Sequence, residues 1–476
     1  MMSADPVNYP AARISREDFA SEGDVQAVTN PGNGEVVATT SWSTPANVES
    51  AVRAAAAVRN EWSNTPARNR GDALRAIAAK LRSSADRLAP LIAGESGKRI
   101  AEAHGEVELS AKYFDWFSEA AIAMEEGQQR TTSARRFLIN RHAVGVVAAL
   151  GTWNFPLSIP ARKIAAALAA GCPVILKPSE VTPLSGYEIV KLADPELPSG
   201  TLNYVIGDSK ALSNELIDHA DVAAVSFTGS TKVGREVGIR AAGNFTRATL
   251  ELGGRAPFIV RHDADVASAV DTLMIAKFRN NGESCIAANN VFIHDSLYEQ
   301  FLQEFADRLQ TIRCGDQFDE ATDLGPLISV AAADRLRNLV NQARTNGNRI
   351  WSGRRDQENP AYLEPTMVES TEDDDLWNQE VFGPVCPVRS YTDEDGLVEE
   401  INGWGVGLAG YVCSGESGHA TKLAERLRIG IIGINNGTPN TPEVPFGGFG
   451  DSGIGREGSL TGMFEFTEEQ TISIAH

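Results

Sequence analysis

The segment KFRNNGESCIAANN, residues 277–290, places Cys285 just after a polar turn that contains a glycine. A thiol exposed near free backbone N–H groups has a lowered pKa, and its thiolate is a good nucleophile. A lone cysteine in an α/β protein is more often a small buried apolar side chain. The cysteines at 172, 314, 386 and 413 lie in apolar or featureless segments and fit that second description. Cys285 is therefore the candidate nucleophile.

Two further residues could serve such a nucleophile. Glu251 stands between an apolar strand and the pair Gly253-Gly254, where partial desolvation raises the pKa of a carboxyl towards the range of a general base. Asn154 lies in the segment TWNFP, where a side-chain amide can donate a hydrogen bond to an oxyanion. Simpler roles stay open for both: a carboxylate that caps a hinge, and an asparagine that forms a turn.

Two predicted strand ends carry residue types that bind phosphates and hydroxyl groups. In FTGSTKVG, residues 227–234, a strand leads through a turn with Gly229 and Gly234 into a helix, so free N–H groups and the helix dipole can face a phosphate. In KPSE, residues 177–180, a lysine and a glutamate follow an apolar strand, at the edge where open α/β sheets bind ligands. Taken alone, a tight turn explains the first segment at least as well, and a solvated strand end with a helix cap explains the second segment better.

Alternating apolar strands and helical segments must position these residues. Strands are predicted at 144–150, 174–177, 202–206 and 223–227, with helices at 162–170, 185–192, 211–219 and 232–242. A second series has strands at 258–260 and 291–294, with helices at 266–279 and from 298 onward. Short apolar strands that alternate with helices predict parallel sheets, so the two series predict two α/β domains. Residues 251–254 would join them as a hinge, and residues 47–125 are predicted to form amphipathic helices.

The composition of the 476-residue chain argues against several classes of protein. Its formal net charge of −20 opposes binding to nucleic acid or to an anionic membrane. The uncharged stretch at 143–161 contains glycine, asparagine and prolines that would break a membrane helix. The five cysteines match no zinc motif or disulfide framework, so no metal is expected. The first residues, MMSADPVNYP, do not resemble a signal peptide, and a cytoplasmic location is expected.

Seven segments together resemble the aldehyde dehydrogenase superfamily, in its order and at its spacing. They are TWNFP (152–156), LKPSEVTP (176–183), FTGSTKVG (227–234), LELGG (250–254), NNGESC (280–285), QEVFGPV (379–385) and PFGG with SGIGREG (445–458). The resemblance covers nearly the whole chain. It implies an α/β fold with a Rossmann-type cofactor domain (1–123 and 144–253), an α/β catalytic domain (254–452) and a small β oligomerisation arm (124–143 and 453–476). A homodimer or homotetramer is the corresponding expectation.

The same resemblance implies roles for individual residues. Cys285 would attack an aldehyde, Asn154 would stabilise the oxyanion, and Glu251 would activate the water that hydrolyses the thioester. Lys163 and Glu457 match a pair that relays the proton away. Members that transfer the acyl group to coenzyme A generally lack the carboxylate found here at Glu251, so the expected product is a free acid.

Cofactor contacts follow in the same way. The positions that match the family's contacts are Trp153, Lys177, Glu180, Ser230, Leu252, Glu380 and Phe382, and the local patterns add Ser179, Gly229 and Gly234. A carboxylate at Glu180 near the adenosine ribose would accept a hydrogen bond from its 2′-hydroxyl and would repel a 2′-phosphate. NAD is therefore the predicted cofactor. NADP is the alternative, because Lys177 and Ser179 could offset that repulsion.

Within the superfamily the chain looks most like succinate-semialdehyde dehydrogenases. Arg162 and Arg279 match carboxylate-binding positions of that group, and a serine that some relatives use on the substrate falls near Asn440 and Thr441; Thr441 is the predicted contact. Two guanidinium groups suit an aldehyde with an anionic far end, although either could form an interdomain salt bridge. Alternative substrates are sulfolactaldehyde, betaine aldehyde and aromatic aldehydes. Two different functions also stay open: a thiol-dependent esterase, and a non-catalytic binding protein that keeps this fold.

Overall fold

The computed structural model describes residues 7–20, 25–124, 127–355 and 357–476. Its helices are α1 (Pro45–Ser63), α2 (Ala67–Ser83), α3 (Ala85–Ser96), α4 (Ile100–Ala120), α5 (Ser158–Ala169), α6 (Leu184–Ala193), α7 (Ser209–Asp218), α8 (Thr231–Gly243), α9 (Val266–Phe278), α10 (Tyr298–Leu309), α11 (Val330–Thr345), α12 (Glu394–Gly403), α13 (Ser417–Ala424) and α14 (Ser459–Phe464). Short 3₁₀ helices lie at Ala121–Met124, Asp194–Glu196, Arg279–Gly282 and Asp295–Leu297.

The strands of the first half are β1 (Val7–Tyr9), β2 (Ala12–Ile14), β3 (Glu17–Phe19), β4 (Val25–Thr29), β5 (Val36–Ser41), β6 (Gln128–Thr131), β7 (Arg135–Ala143), β8 (Val146–Leu150), β9 (Val174–Lys177), β10 (Leu202–Val205), β11 (Val222–Thr228) and β12 (Arg247–Glu251). Those of the second half are β13 (Pro257–Val260), β14 (Asn290–His294), β15 (Arg313–Cys314), β16 (Ile350–Ser352), β17 (Arg354–Arg355), β18 (Thr366–Glu369), β19 (Val385–Tyr391), β20 (Val406–Gly407), β21 (Ala409–Cys413), β22 (Ile431–Ile434), β23 (Phe449–Gly450), β24 (Gly453–Ile454) and β25 (Thr467–Ala475).

The first large sheet has eight strands in the order β24-β12-β11-β8-β9-β10-β2-β3. Its five central strands are parallel, as the alternation of strands and helices predicted. Side chains alternate across the sheet: Val147 and Ala149 join the core that includes α2 to α5, whereas Val146 and Ala148 join the core on α1 and α7. Burial on both faces explains why β8 is a continuous apolar run instead of an alternating one.

The second large sheet has seven strands in the order β16-β18-β19-β14-β13-β21-β22. All neighbours are parallel except β16 with β18. Here too alternate residues enter separate cores: Phe258 and Val291 belong to one, Ile259 and Phe292 to the other. The predicted strands and helices of both series are confirmed, with boundaries that differ by at most four residues.

A three-stranded antiparallel sheet, β25-β7-β6, lies apart from these two in the strand pairing. Strand β25 pairs with β7 over nine residues, from Thr467 with Ala143 to Ala475 with Arg135. The range 453–476 for the second part of the arm stays a prediction, and only its β25 segment pairs within this sheet. Strand β24 belongs instead to the first large sheet, where Gly453 pairs with Glu251, because glycines let this segment lie close against β12.

Five short strands near the N-terminus were not predicted. Strands β1, β4 and β5 form a small sheet of their own, and β2 and β3 extend the edge of the first large sheet. They are short, and several of their side chains are polar and exposed. Residues 1–6, 21–24, 125, 126 and 356 fall within the predicted domain ranges but lie outside the described residues. Within the described ranges, none of the helices combines the length and apolar character that crossing a bilayer requires.

Candidate active site

Cys285 lies in the wall between two cavities. The inner cavity, of about 220 Å³, lies between the ends of the two large sheets and is also lined by Glu251 and Asn154. A side pocket of about 40 Å³ lies on the other side of the thiol and is lined by Arg279 and Asn440 among others. Both residues also line a larger vestibule of about 810 Å³. The thiol can therefore be approached from two directions.

The local backbone explains this position. Helix α9 ends at Phe278, and the 3₁₀ turn that follows contains Asn280 and Asn281 with φ values of 56° and 57°. This left-handed conformation is one that asparagine tolerates better than most residues. The turn reverses the chain so that Cys285 stands between α9 and the start of β14. A buried polar network then holds the turn against the TWNFP loop.

Asn154 is at the centre of that network. Its Nδ2 donates to the backbone oxygen of Glu283 at 3.1 Å, and its own backbone oxygen accepts from Asn280 Nδ2 at 3.0 Å. The Asn154 side chain is buried and lines the inner cavity beside Cys285. One N–H of its amide is thus used to orient the group, and the second can face a reacting oxygen.

Glu251 ends strand β12 and is buried in the inner cavity. Neither of its carboxyl oxygens has a hydrogen-bond partner among the described residues. Burial, with the nearby carboxylate of Glu457, raises the pKa of Glu251 well above its ordinary value, as the sequence predicted. A buried carboxyl without partners is costly for stability alone, so the arrangement points to a chemical task.

Glu457 is the hub of a buried cluster behind Glu251. Lys163 Nζ and Arg162 Nη2 lie 2.5 Å and 2.6 Å from its two carboxyl oxygens. Lys163 also donates to Ser226 Oγ at 2.9 Å, and Ser226 Oγ donates to Glu457 at 3.2 Å. Burial alone would raise the pKa of Glu457, but the two cations together lower it below its ordinary value. The cluster therefore holds a carboxylate where burial would otherwise neutralise it.

The predicted lowering of the Cys285 pKa is wrong for this state of the protein. Burial raises the pKa of the thiol to about 12, with Arg162 and Arg279 opposing the shift and Glu251 adding to it. The side chain lies deeper in the wall between the cavities than an exposed turn suggests. At neutral pH the resting thiol is protonated, and its attack requires a group that accepts the proton.

Six of the ten predicted cofactor residues line the inner cavity: Trp153, Gly229, Ser230, Leu252, Glu380 and Phe382. The rings of Trp153 and Phe382 meet edge to face at 5.5 Å. Ser230 is the N-cap of α8, with its hydroxyl accepting from the Val233 N–H at 3.4 Å. Burial raises the pKa of Glu380 to about 7. The cavity thus combines a helix N-terminus, an aromatic pair and a carboxyl group.

The other four predicted cofactor residues do not line the inner cavity. Lys177 donates to Ser209, which in turn donates to Glu180, and Lys177 Nζ lies 3.5 Å from the Glu180 carboxylate. Ser179 Oγ accepts from the backbone N–H of Val181 at 3.2 Å. These three groups stand at the end of β9, beside the N-terminus of α7. They form a separate polar cluster at the same edge of the first large sheet.

Gly234 has a packing role. A Cβ at this position would lie 2.1 Å from Leu252 Cδ2, so no larger residue fits without moving the end of the cavity. Helix α8 approaches strand β12 closely for this reason. A direct cofactor contact at Gly234 stays a prediction, and the packing adds an indirect effect on the cavity through Leu252.

The predicted substrate residues occupy different settings. Arg279 lines the side pocket and the vestibule, and no described acidic side chain forms an ion pair with it. Arg162 also lines the side pocket, but its guanidinium is bound to Glu457 and lies over the Phe446 ring. Thr441 is exposed and lines none of the three cavities, because the loop turns its neighbour Asn440 inward.

A buried ion pair that the sequence did not predict, Lys98 with Glu106, holds the loop that carries Asn154. Glu106 on α4 accepts hydrogen bonds from the N–H groups of Leu157 and Ser158 at 2.9 and 3.0 Å. These N–H groups lie at the start of α5, where the helix itself offers them no acceptor. The other oxygen of Glu106 is ion-paired with Lys98, which also donates to the Asn154 backbone oxygen at 3.2 Å. No local motif marks either residue, since the partners are 51 and 56 residues apart in the chain.

Replacing Glu106 with alanine is expected to destabilise the protein by about 3–5 kcal/mol, because it leaves the Lys98 ammonium buried and unpaired. Urea unfolding followed by circular dichroism measures this loss. Glu108→Ala is the matched control on the same helix, since its pair with Arg82 is exposed and should contribute less than about 1 kcal/mol. Equal midpoints for the two variants would show that the buried pair does not hold the loop.

The whole arrangement is that of a family of oxidoreductases. The chain matches the model of the aldehyde dehydrogenase family over residues 19–472. It therefore belongs to the aldehyde dehydrogenase family. The resemblance stated from the seven motifs is confirmed.

Individual relatives agree with this membership. The chain is 37% identical to a probable succinate-semialdehyde dehydrogenase [NADP(+)] of Sinorhizobium fredii, covering 98% of this chain and 94% of the relative. It is 35% identical to a 3-sulfolactaldehyde dehydrogenase of Pseudomonas putida, with 94% and 93% covered. Its structure is similar to that of a betaine aldehyde dehydrogenase from Staphylococcus aureus in complex with NAD+, with a TM-score of 0.93, 32% identity and 97% and 94% of the two chains covered.

Proposed function

We propose that this protein oxidises an aldehyde with an anionic far end to the carboxylic acid, with NAD or NADP as the oxidant. The observation that carries the proposal is the position of Cys285 between two cavities. The inner cavity has the residues for a dinucleotide and for a general base, whereas the side pocket contains two guanidinium groups. A nucleophile in the shared wall can meet a substrate from one side and a cofactor from the other.

The inner cavity fits a nicotinamide dinucleotide. The Thr231–Gly243 helix begins at its edge, so free N–H groups and the helix dipole favour a phosphate there. Glu380 is placed to accept hydrogen bonds from ribose hydroxyls, and Trp153 with Phe382 provides an apolar wall. When bound, the oxidised nicotinamide supplies the acceptor for the hydrogen and two electrons that the aldehyde carbon loses. These contacts support the predicted cofactor class.

NAD is the preferred cofactor in this proposal. Glu180 at the end of β9 is half exposed and is bonded to Ser209, close to Lys177. A carboxylate in this place accepts from a ribose 2′-hydroxyl and repels a 2′-phosphate. Lys177 and Ser179 leave NADP as an alternative, and the name of the Sinorhizobium fredii relative includes NADP(+).

The chemical steps use residues of the inner cavity. Cys285 forms a C–S bond to the aldehyde carbon while its thiol proton passes to the carbonyl oxygen, and the second N–H of the Asn154 amide donates to that oxygen. The oxygen releases this proton to solvent when the carbon is oxidised. Cys285 then holds the oxidised carbon as a thioester. Glu251, whose pKa is raised by burial, takes a proton from the water that hydrolyses it. Glu457 and Lys163 lie behind Glu251 as the route by which that proton leaves.

Arg279 is the proposed anchor for the anionic end of the substrate. It is part of the side pocket, has no acidic partner among the described residues, and lies 5.9 Å from the centre of the Phe155 ring. Arg162 is ion-paired with Glu457, so it contributes mainly to the electrostatic potential of the side pocket. Two relatives are named for aldehydes that carry an acidic group: a probable succinate-semialdehyde dehydrogenase and a 3-sulfolactaldehyde dehydrogenase.

We further propose that the β25-β7-β6 sheet is the contact surface of a homodimer or homotetramer. Strand β25 is exposed along most of its length, and the outer strand β6 is exposed throughout. Unprotected strands of this kind favour pairing with another chain. The domain division at residues 251–254 likewise stays a proposal, supported by the change of sheet between β12 and β13.

The test is an aldehyde panel with wild type and Arg279→Leu. Wild type with NAD should produce reduced-nicotinamide absorbance with succinate semialdehyde and related anionic aldehydes. Loss of the guanidinium should raise KM for these by about 10- to 100-fold, because a charge-assisted hydrogen bond is lost. A neutral aldehyde of similar length should be oxidised by the variant about as well as by wild type.

Arg308→Leu is the control for Arg279→Leu. Arg308 also lines the vestibule but is paired with Asp271 at 2.6 Å, so its loss should change KM little. Parallel losses on anionic and neutral aldehydes in Arg279→Leu would contradict the anchor. Wild type that oxidises none of the panel with either cofactor would contradict the function itself.

A further inference from the structure

Asn440 faces the cavities on the substrate side of Cys285. It lines both the side pocket and the vestibule. Its Oδ1 atom is buried and has no hydrogen-bond partner among the described residues. Buried amide oxygens normally accept a hydrogen bond. The position therefore has an unused acceptor next to the path of the substrate.

The loop that presents Asn440 is held on both sides. Before it, Gly437 packs so closely on α9 that a Cβ would lie 2.8 Å from the backbone oxygen of Thr272. After it, the backbone oxygen of Pro442 accepts from the Ser459 N–H at 2.8 Å. Proline also narrows the backbone freedom of the segment. The backbone on both sides of Asn440 is thus held in place, which favours a role in recognition.

Within the side pocket, the nearby charges limit the kind of donor from which Asn440 can accept a hydrogen bond. The side pocket contains no carboxylate among its described lining residues, and its two charged side chains are Arg162 and Arg279. A substrate ammonium group in this pocket would lie near two guanidinium groups, and like charges would oppose its binding. A hydroxyl group carries a donor without that repulsion. The surroundings therefore favour a neutral donor.

We propose that Asn440 selects anionic aldehydes that carry a hydroxyl group between the aldehyde carbon and the anionic end. Its Oδ1 accepts a hydrogen bond from that hydroxyl, while Arg279 binds the anion and Cys285 attacks the aldehyde. The placement follows from the cavities: Asn440 borders the side pocket next to Cys285 and also the vestibule that Arg279 lines. This inference rests on the proposed function and narrows its substrate class.

The experiment compares kcat/KM for succinate semialdehyde with kcat/KM for each of its two monohydroxy derivatives. Wild type should prefer at least one hydroxylated aldehyde. Asn440→Leu keeps the approximate size of the side chain and removes the acceptor, and it should lower that preference about fivefold, the value of one neutral hydrogen bond. Because the readout is a ratio of two substrates, loss of folded enzyme does not change it.

Thr438→Val is the matched control, since Thr438 is exposed in the same loop and lines none of the three cavities; its ratio should equal that of wild type. The corresponding amino derivatives of succinate semialdehyde are assayed in the same way. Three results would overturn the role of Asn440: no preference for a hydroxylated aldehyde in wild type, equal losses on both substrates in Asn440→Leu, or a preference of wild type for an amino derivative. Wild type that oxidises succinate semialdehyde well but ignores the hydroxyl refutes only this inference. Wild type that oxidises no aldehyde of the set with either cofactor refutes the proposed function as well.

Discussion

Cys285→Ala is expected to lower aldehyde oxidation by at least roughly 10⁴-fold, because the covalent route requires a thiol. No other cysteine is among the described residues that line the inner cavity or the side pocket. Binding of NAD should survive, since Cys285 is only one of the residues around the inner cavity. Initial rates by nicotinamide absorbance and binding by titration calorimetry measure the two effects separately.

Cys413→Ala is the control for this variant. Cys413 is a buried residue in β21 and belongs to the core of the second large sheet. Its replacement removes a thiol that lines neither cavity, so activity should remain near that of wild type. Residual oxidation by Cys285→Ala above about one per cent of wild type would exclude a covalent mechanism through this thiol. Unchanged ester hydrolysis by the same variant would also exclude a thiol esterase.

Glu251→Gln is expected to reduce steady-state turnover by about 10²- to 10⁴-fold, the usual contribution of a general base. The amide cannot take the proton from the hydrolytic water, so the thioester should accumulate on Cys285. Stopped-flow absorbance should then show one equivalent of reduced nicotinamide per active site, followed by a stall. Mass spectrometry of the quenched protein should find the acyl group on the peptide that contains Cys285.

The pH dependence gives an independent check on Glu251. Its carboxylate is the active form, and its pKa is raised by burial and by Glu457. Turnover limited by hydrolysis should therefore fall as the pH drops through that raised pKa, and Glu251→Gln should lose this dependence. If the variant shows no burst at all, Glu251 is required before the thioester forms. In that case its task is to take the proton of the buried thiol.

The raised pKa of its thiol would protect the proposed nucleophile, Cys285, before it reacts. Burial raises this pKa to about 12, and Arg162 and Arg279 act in the opposite direction. A neutral thiol resists oxidation and alkylation, since the thiolate is the reactive form. The enzyme therefore needs its substrate, its cofactor or Glu251 to bring the thiol into its reactive form. Arg279 would contribute to both binding and activation.

Much of the fold was predictable because it depends on short-range patterns. Apolar runs such as 146–150 are buried on both faces of a parallel sheet, and this leaves a signal that needs no knowledge of distant residues. Turn chemistry marked the segment before Cys285 and the glycine turn before α8 in the same way. The polar and exposed strands at the N-terminus carried no such signal, so they were missed.

The sequence by itself determined the class of protein and named its chemical groups: Cys285, Glu251 and Asn154 each lie in a segment whose residue types suit their chemistry. Only the tertiary structure decided the burial, the ion pairing and the orientation of the side chains around the site. It placed the thiol in a wall where burial raises its pKa, committed Arg162 to Glu457, and turned Asn440 inward instead of Thr441. The physical reason is that desolvation and charge pairing depend on residues far apart in the chain, and a linear sequence does not record which of them meet.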